Sequence, residues 1–124
     1  MVLGVGIDII EVSRIKQSIE NYGERFLNRI YTPDEIEYSN AFKDKKYMHF
    51  AARFAAKEAF SKAIGTGLTD GFHFKEINIS NKSNGEPHII LSGNTLERYA
   101  GEIFHISLSH INDVAVATVI REKI

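Results

Sequence analysis

The chain has 124 residues, a formal net charge of −1 and no cysteine. These values exclude disulfides and thiolate metal sites and argue against a general nucleic-acid binder. No stretch is apolar for the length a membrane span needs, and the first residues lack the pattern of a secretory leader, so a single cytoplasmic domain over residues 1–124 is expected.

Residues 2–10 read as a strand. Strict alternation places Leu3, Val5, Ile7 and Ile9 on one face, with Val2, Gly4, Gly6 and Asp8 on the other. The glycines clear room on the second face for another backbone or a ligand, and Asp8 stands in that space. An aspartate near a strand end is equally a cap for the helix that follows. Residues 11–22 carry Val12, Ile15, Ile19 and Tyr22 at helical spacing, with Gly23 as the stop. The polar side of that helix bears Arg14, Lys16 and Glu20, and Arg25 and Arg29 follow. Such a face is an ordinary solvated surface or a docking site for an acidic partner. Thr32-Pro33-Asp34-Glu35 has the form of an N-cap, a first helical residue and a capping box, opening a short helix that ends near Phe42. The basic run Lys43, Lys45 and Lys46 is a solvated loop or a phosphate contact.

Residues 49–67 form the central helix and its stop. Ala51, Ala55 and Ala59 line one side, and Phe50, Phe54, Phe60 and Ile64 occupy much of the rest. Arg53, Lys57, Glu58, Ser61 and Lys62 interrupt this apolar surface, and burying such charges is costly without partners. Glu58 pairing with Lys62 one turn on is the simple explanation; a binding site is the other. Gly65 suits a helix C-cap, so Lys62 must supply the attraction if a phosphate lies near Gly65-Thr66-Gly67. From Phe72 the period changes to strand, with a hairpin turn at Asn84-Gly85 and a second strand from His88 to Leu91. A short helix is expected over residues 94–100, then strands over 103–110 and 113–122. In the first of these, Ile103, His105, Ser107 and Ser109 share a face suited to bordering a ligand, whereas the histidine spacing makes no zinc site. The pattern is α+β: one domain with a mostly antiparallel sheet packed around a long central helix.

Asp8 and Glu58 each interrupt an otherwise apolar element. Two carboxylates alone suit a proton-sharing pair, a sugar-hydrolase pair or an oxygen-ligand metal site. Arg53, Lys57 and Lys62 favour a phosphorylated ligand, and Mg²⁺ fits that mixture because it combines one or two carboxylates with substrate phosphate oxygens.

Three motifs in order carry a resemblance: Gly6-Ile7-Asp8 with Glu11 and Arg14, the run Arg53-Phe54-Ala55-Ala56-Lys57-Glu58-Ala59-Phe60-Ser61-Lys62, and Ser107-Leu108-Ser109-His110. They resemble the 4′-phosphopantetheinyl transferases, and the short length with Gly65-Thr66-Gly67 resembles the holo-acyl-carrier-protein synthase group. The resemblance implies that family's fold and Mg²⁺-dependent transfer of the 4′-phosphopantetheine arm of coenzyme A to a serine of apo acyl carrier protein, releasing 3′,5′-ADP, in fatty acid biosynthesis. It implies Asp8 and Glu58 as metal ligands, Glu58 and Lys62 as catalytic, and Arg53, Lys62, Gly65, Asn84, Gly85, His105, Ser109 and His110 as coenzyme contacts. Arg14 and Arg25 would meet the carrier protein's acidic helix. The group's small enzymes are homotrimers with active sites between subunits, so the His105 strand and the central helix are expected to meet across an interface, with neither nucleic acid nor membrane as partner. The chain departs from the group at Glu86, where a basic residue is expected, and at Phe54, where many relatives carry tryptophan. Two other classes remain: a non-catalytic module binding coenzyme A or a nucleotide, and a Mg²⁺-dependent phosphohydrolase.

Overall fold

The computed structural model describes residues 1–66 and 73–124. In order they form β1 (Val2–Glu11), α1 (Val12–Tyr22), α2 (Glu24–Ile30), α3 (Pro33–Asn40), α4 (Lys46–Ala63), β2 (Ile77–Asn81), β3 (Pro87–Leu91), α5 (Gly93–Tyr99), β4 (Glu102–His110) and β5 (Val114–Lys123). Antiparallel strands in the order β1-β5-β4 make one sheet, and β2 with β3 makes a separate antiparallel hairpin. The α+β domain with a long central helix is as expected, with its strands divided between two sheets.

The small side chains of α4 let it lie at the centre. Ala55, Ala56, Ala59, Phe60 and Ala63 pack with Ile77, Ile79, Ala117 and Val119 in one core cluster, while Phe50, Ala51 and Ala52 pack with Val12, Ile15, Ile30 and Tyr31 in a second. The approach to β1 is closest. A Cβ on Gly6 would overlap the Ala59 carbonyl oxygen and stand 2.8 Å from Ala63 N, and one on Gly4 would overlap the Ala63 carbonyl oxygen. The glycine face of β1 therefore packs on α4. Leu3, Val5, Ile7 and Ile9 face outward and are exposed.

Several boundaries differ from the sequence reading. The central helix starts at Lys46 and ends at Ala63, with Gly65 at φ 82° just past its end; Gly67 lies outside the described residues. Helix α2 was hidden because Arg25, Asn28 and Arg29 blur its short apolar period, while Gly23 at φ 56° breaks it from α1. Phe74–Glu76 is a turn of 3-10 helix and not strand, and Phe72 lies outside the described residues. The capping box at α3 is present: Thr32 Oγ1 accepts from Glu35 N at 3.2 Å, and Glu35 Oε1 accepts from Thr32 N at 2.8 Å.

Near the start of α4, the His49 ring stacks on Phe42 at 3.6 Å between centroids, with Tyr38 and His110 edge-on. Partial burial, reinforced by repulsion from His110 and Arg53, lowers its pKa from 6.5 to about 4. Stability from the neutral ring is therefore intact above pH 6.5, declines as pH falls, and is lost by about pH 4, because only the unfolded chain takes up the proton in that window. His49→Phe, which keeps the stack, is expected to flatten the acid loss of thermal stability between pH 6.5 and 4; unchanged acid slopes would refute the assignment. Gly6→Ala is expected to lower unfolding free energy by about 3 kcal/mol through overpacking. A urea midpoint equal to that of the parent chain would contradict the β1–α4 contact.

Candidate active site

The β1 alternation that turns Gly4 and Gly6 onto α4 also turns Asp8 toward that helix. Lys62, on the last turn of α4, donates from Nζ to the Ile7 carbonyl oxygen at 2.9 Å and pairs with Asp8 Oδ1 at 3.2 Å. The Asp8 carboxylate is mostly covered, whereas the lysine side chain is half exposed. Asp8 is not the cap of α1: Glu11 holds that position without a side-chain capping bond. Lys62 thus pairs with Asp8, not with Glu58 as the simpler of the two sequence readings has it. Glu58 lies beside this pair, its pKa raised by partial burial and by the Asp8 charge, with Lys62 opposing.

Asp8 and Glu58 line a cleft of about 440 Å³ with Arg14, Gln17, Ser18 and Phe54. Its donors are hard oxygens, and among the described residues no group of three His, Cys, Asp or Glu side chains is placed to hold a metal. Two carboxylates beside a cation and open space fit a hard ion that completes its shell from water and phosphate; they do not fit a zinc cage. Ser18 and Phe26 connect this cleft to a second one of about 480 Å³, walled by Tyr22, Arg25 and Arg29. Arg14 on the first cleft and Arg25 on the second thus line a groove made of two adjoining clefts, the first of which holds the carboxylates.

Arg53 and Gly85 meet in a third cleft of about 400 Å³, with Asp34, Tyr38, Asn81 and Lys82. Arg53 lies over the Tyr38 ring at 4.0 Å and donates from one terminal nitrogen to Asn81 Oδ1 at 2.5 Å. Its Nε is buried without a hydrogen-bond partner among the described residues. A buried guanidinium with an unused donor beside an open cleft suits an anionic ligand. Gly85 takes φ 88° in the hairpin turn, and Asn84 Oδ1 accepts from Glu86 N at 2.9 Å. Glu86 itself pairs with Lys82 at 3.7 Å on the surface.

Lys57 is the clear correction among the candidate cations. It is fully buried, pairs with Glu35 Oε1 at 2.7 Å and donates to the carbonyl oxygens of Ile30 and Phe74 at 2.7 and 2.9 Å. All three ammonium donors are thereby used, so none is left for a phosphate.

His105, Ser107 and Ser109 lie on the outer face of the β1-β5-β4 sheet, the side away from α4, whereas His110 has the opposite parity and meets His49. His105 Nε2 is 2.9 Å from Glu122 Oε1. Within one chain, His105 is therefore separated from Arg53, Glu58 and Lys62 by the sheet. Asn81, Tyr38 and Glu122 do not stand out in the sequence. Glu35 was legible as a capping residue, but polar side chains at 38, 81 and 122 in exposed-looking contexts gave no signal.

A family model described as the 4′-phosphopantetheinyl transferase superfamily matches residues 4–119. A holo-[acyl-carrier-protein] synthase of Koribacter versatilis is 46% identical over 125 residues, covering 98% of this chain and 99% of the relative. One from Maridesulfovibrio salexigens is 47% identical, covering 99% and 100%. Among solved structures, the Bacillus anthracis synthase in complex with CoA (3′,5′-ADP) superposes with TM-score 0.85 at 38% identity, covering 100% of this chain and 99% of that one. The Helicobacter pylori synthase in complex with coenzyme A gives 0.83 at 31%, covering 95% and 99%. The chain is thus an enzyme that transfers phosphopantetheine, and it belongs to the 4′-phosphopantetheinyl transferase superfamily, in its holo-[acyl-carrier-protein] synthase group.

Proposed function

We propose that this enzyme moves the 4′-phosphopantetheine arm of coenzyme A to a serine of apo acyl carrier protein in a Mg²⁺-dependent reaction, in the cytoplasm and in support of fatty acid biosynthesis. The serine hydroxyl gives up its proton to solvent as its oxygen bonds to the pantetheine-side phosphorus, and the bond from that phosphorus to the oxygen of 3′,5′-ADP breaks with its electron pair leaving on 3′,5′-ADP. The observation that carries the reading is the shared cleft in which Asp8 and Glu58 stand beside Lys62 and open onto the groove of Arg14 and Arg25. Asp8 and Glu58 are the residues that would hold Mg²⁺, which when bound neutralises the diphosphate and polarises its oxygens. Lys62 sets its ammonium at the same place and offsets charge that grows on the leaving group. The partly buried Glu58 carboxylate sits in a setting that disfavours its own charge, a cost that a cation there removes.

Arg53 and Gly85, which share a cleft, are assigned to the coenzyme side, supported by the unused Arg53 Nε there. Asn84 in the hairpin turn and Gly65 past the far end of α4 do not line that cleft and keep the role by family resemblance alone. His105, Ser109 and His110 belong to the same role but lie on β4, with His105 and Ser109 on the outer sheet face. That face also exposes Leu3, Val5, Ile7, Ile9, Ile103 and Ile120. A contiguous apolar sheet face of this kind favours burial against another copy, and a homotrimer with sites between subunits brings His105 of one chain toward α4 of the next. Arg14 and Arg25 on the groove receive the acidic helix of the carrier.

The first test is mass spectrometry of apo acyl carrier protein incubated with the enzyme, coenzyme A and Mg²⁺. A gain of one phosphopantetheine on the serine, lost on chelation, is expected. Bound coenzyme A with no gain would favour a binding module, and coenzyme A consumed without carrier modification would favour a phosphohydrolase. Glu58→Gln and Asp8→Asn are each expected to lower transfer by about 100-fold or more, with unchanged circular dichroism and loss of the thermal stabilisation Mg²⁺ gives the parent. Either variant at full activity would remove the metal assignment. Arg14→Glu is expected to raise KM for the carrier about tenfold while leaving that for coenzyme A unchanged; equal effects on both would sink the docking assignment.

A further inference from the structure

The Glu35–Lys57 pair has no exposed side-chain surface on either partner, and it reaches four separate pieces of the chain. Glu35 Oε1 takes Lys57 and the Thr32 amide, while Oε2 accepts the Ile79 amide at 2.6 Å. Lys57 binds the last carbonyl of α2 at Ile30 and the carbonyl of Phe74 on the approach to β2. Burial pulls the Lys57 ammonium below its ordinary pKa, and Glu35 opposes that pull.

Stability alone is a weak reason for such a pair, because well-packed apolar residues often do as well in its place. What the pair supplies is register. Among the described residues, strand β2 is hydrogen-bonded to another strand on one side only, to β3, and on its other side the Glu35 carboxylate takes the Ile79 amide where a neighbouring strand would. Thr32 Oγ1 adds a bond to the Asn78 side chain at 2.5 Å. Two residues beyond Ile79, Asn81 receives Arg53, and Arg53 lies one helical turn before Lys57 on α4. Of these two successive cations on one face of α4, Arg53 thus grips the hairpin directly at Asn81, while Lys57 holds it through Glu35 at Ile79 and by the Phe74 carbonyl on its approach. Sliding the hairpin by one residue would break both grips and reverse its faces.

We infer that the Glu35–Lys57 pair is a positioning device for the coenzyme cleft, locking the β2–β3 hairpin onto α4 so that Arg53 and Asn81 stand preset at its wall. This rests on the reading of that cleft as the coenzyme side. Neither residue touches the ligand; both act through the hairpin.

Calorimetric titration of coenzyme A into the parent and into Lys57→Met, alongside full kinetics, tests it. The variant is expected to bind coenzyme A about tenfold more weakly and to show a matching rise in its KM, with kcat and the carrier KM changed less than about threefold. A purely structural role would lower the active fraction, and so kcat, at unchanged coenzyme KM; that result would overturn the inference. If Lys57→Met does not melt cooperatively, Glu35→Gln/Lys57→Met, which leaves no buried charge unpaired, is read by the same criterion. Coenzyme A failing to bind the parent would defeat the reading of the cleft itself. Binding to the parent with equal binding to the variant would defeat the positioning role alone.

Discussion

A strand backbone resting directly on a helix backbone is the constraint on which the remaining geometry depends. Gly4 and Gly6 remove the two side chains that would keep β1 away from Ala59 and Ala63, and the alanines of α4 answer from the other side. With a side-chain period of two, the next position on that face is Asp8. The periodicity that permits the close approach therefore also delivers a carboxylate to the edge of the contact, where Glu58 and Lys62 wait. These charged groups are therefore carried by a strand and a helix packed on each other and not by loops.

Along α4 the charged residues divide into two kinds. Lys57 lies in the dry interior with every donor used, and there its charge fixes how four pieces of chain meet. Arg53 is equally covered but incompletely bonded, leaning on Tyr38 and Asn81 beside an open cleft. Glu58 and Lys62 are only partly covered, which keeps them accessible while lowering the dielectric around them. Charge is thus fully paired at Lys57 and incompletely bonded at Arg53.

Much of this was legible in the sequence, for physical reasons. Local rules read the capping box at Thr32 and Glu35, the glycine stop after α1, the hairpin at Asn84-Gly85 and the alternation in β1 and β4. The ordered motifs around Asp8, Glu58 and Ser107–His110 gave the family. What local rules could not reach was the destination of each charge. Lys57 and Lys62 are neighbours of similar chemistry, and only the packing of α3 and β2 sends one inward to Glu35 while leaving the other to Asp8. Glu35 satisfied its capping role so fully that a second, long-range partner left no further trace. The division of the strands into two sheets was equally hidden, since alternation reports which face a residue takes but not which strand lies beside it.

The outer face of the three-stranded sheet separates two events in the life of the chain. Both core clusters lie on the α4 side and are built from residues of one polypeptide. The opposite face, with its exposed isoleucines and His105, finds no cover among the described residues. Under the proposed assembly, a newly made chain would be folded before it is competent, and competence would be acquired by collision. The interval between the two would shorten as chains accumulate and lengthen on dilution, so that specific activity becomes a property of the population and not of the molecule.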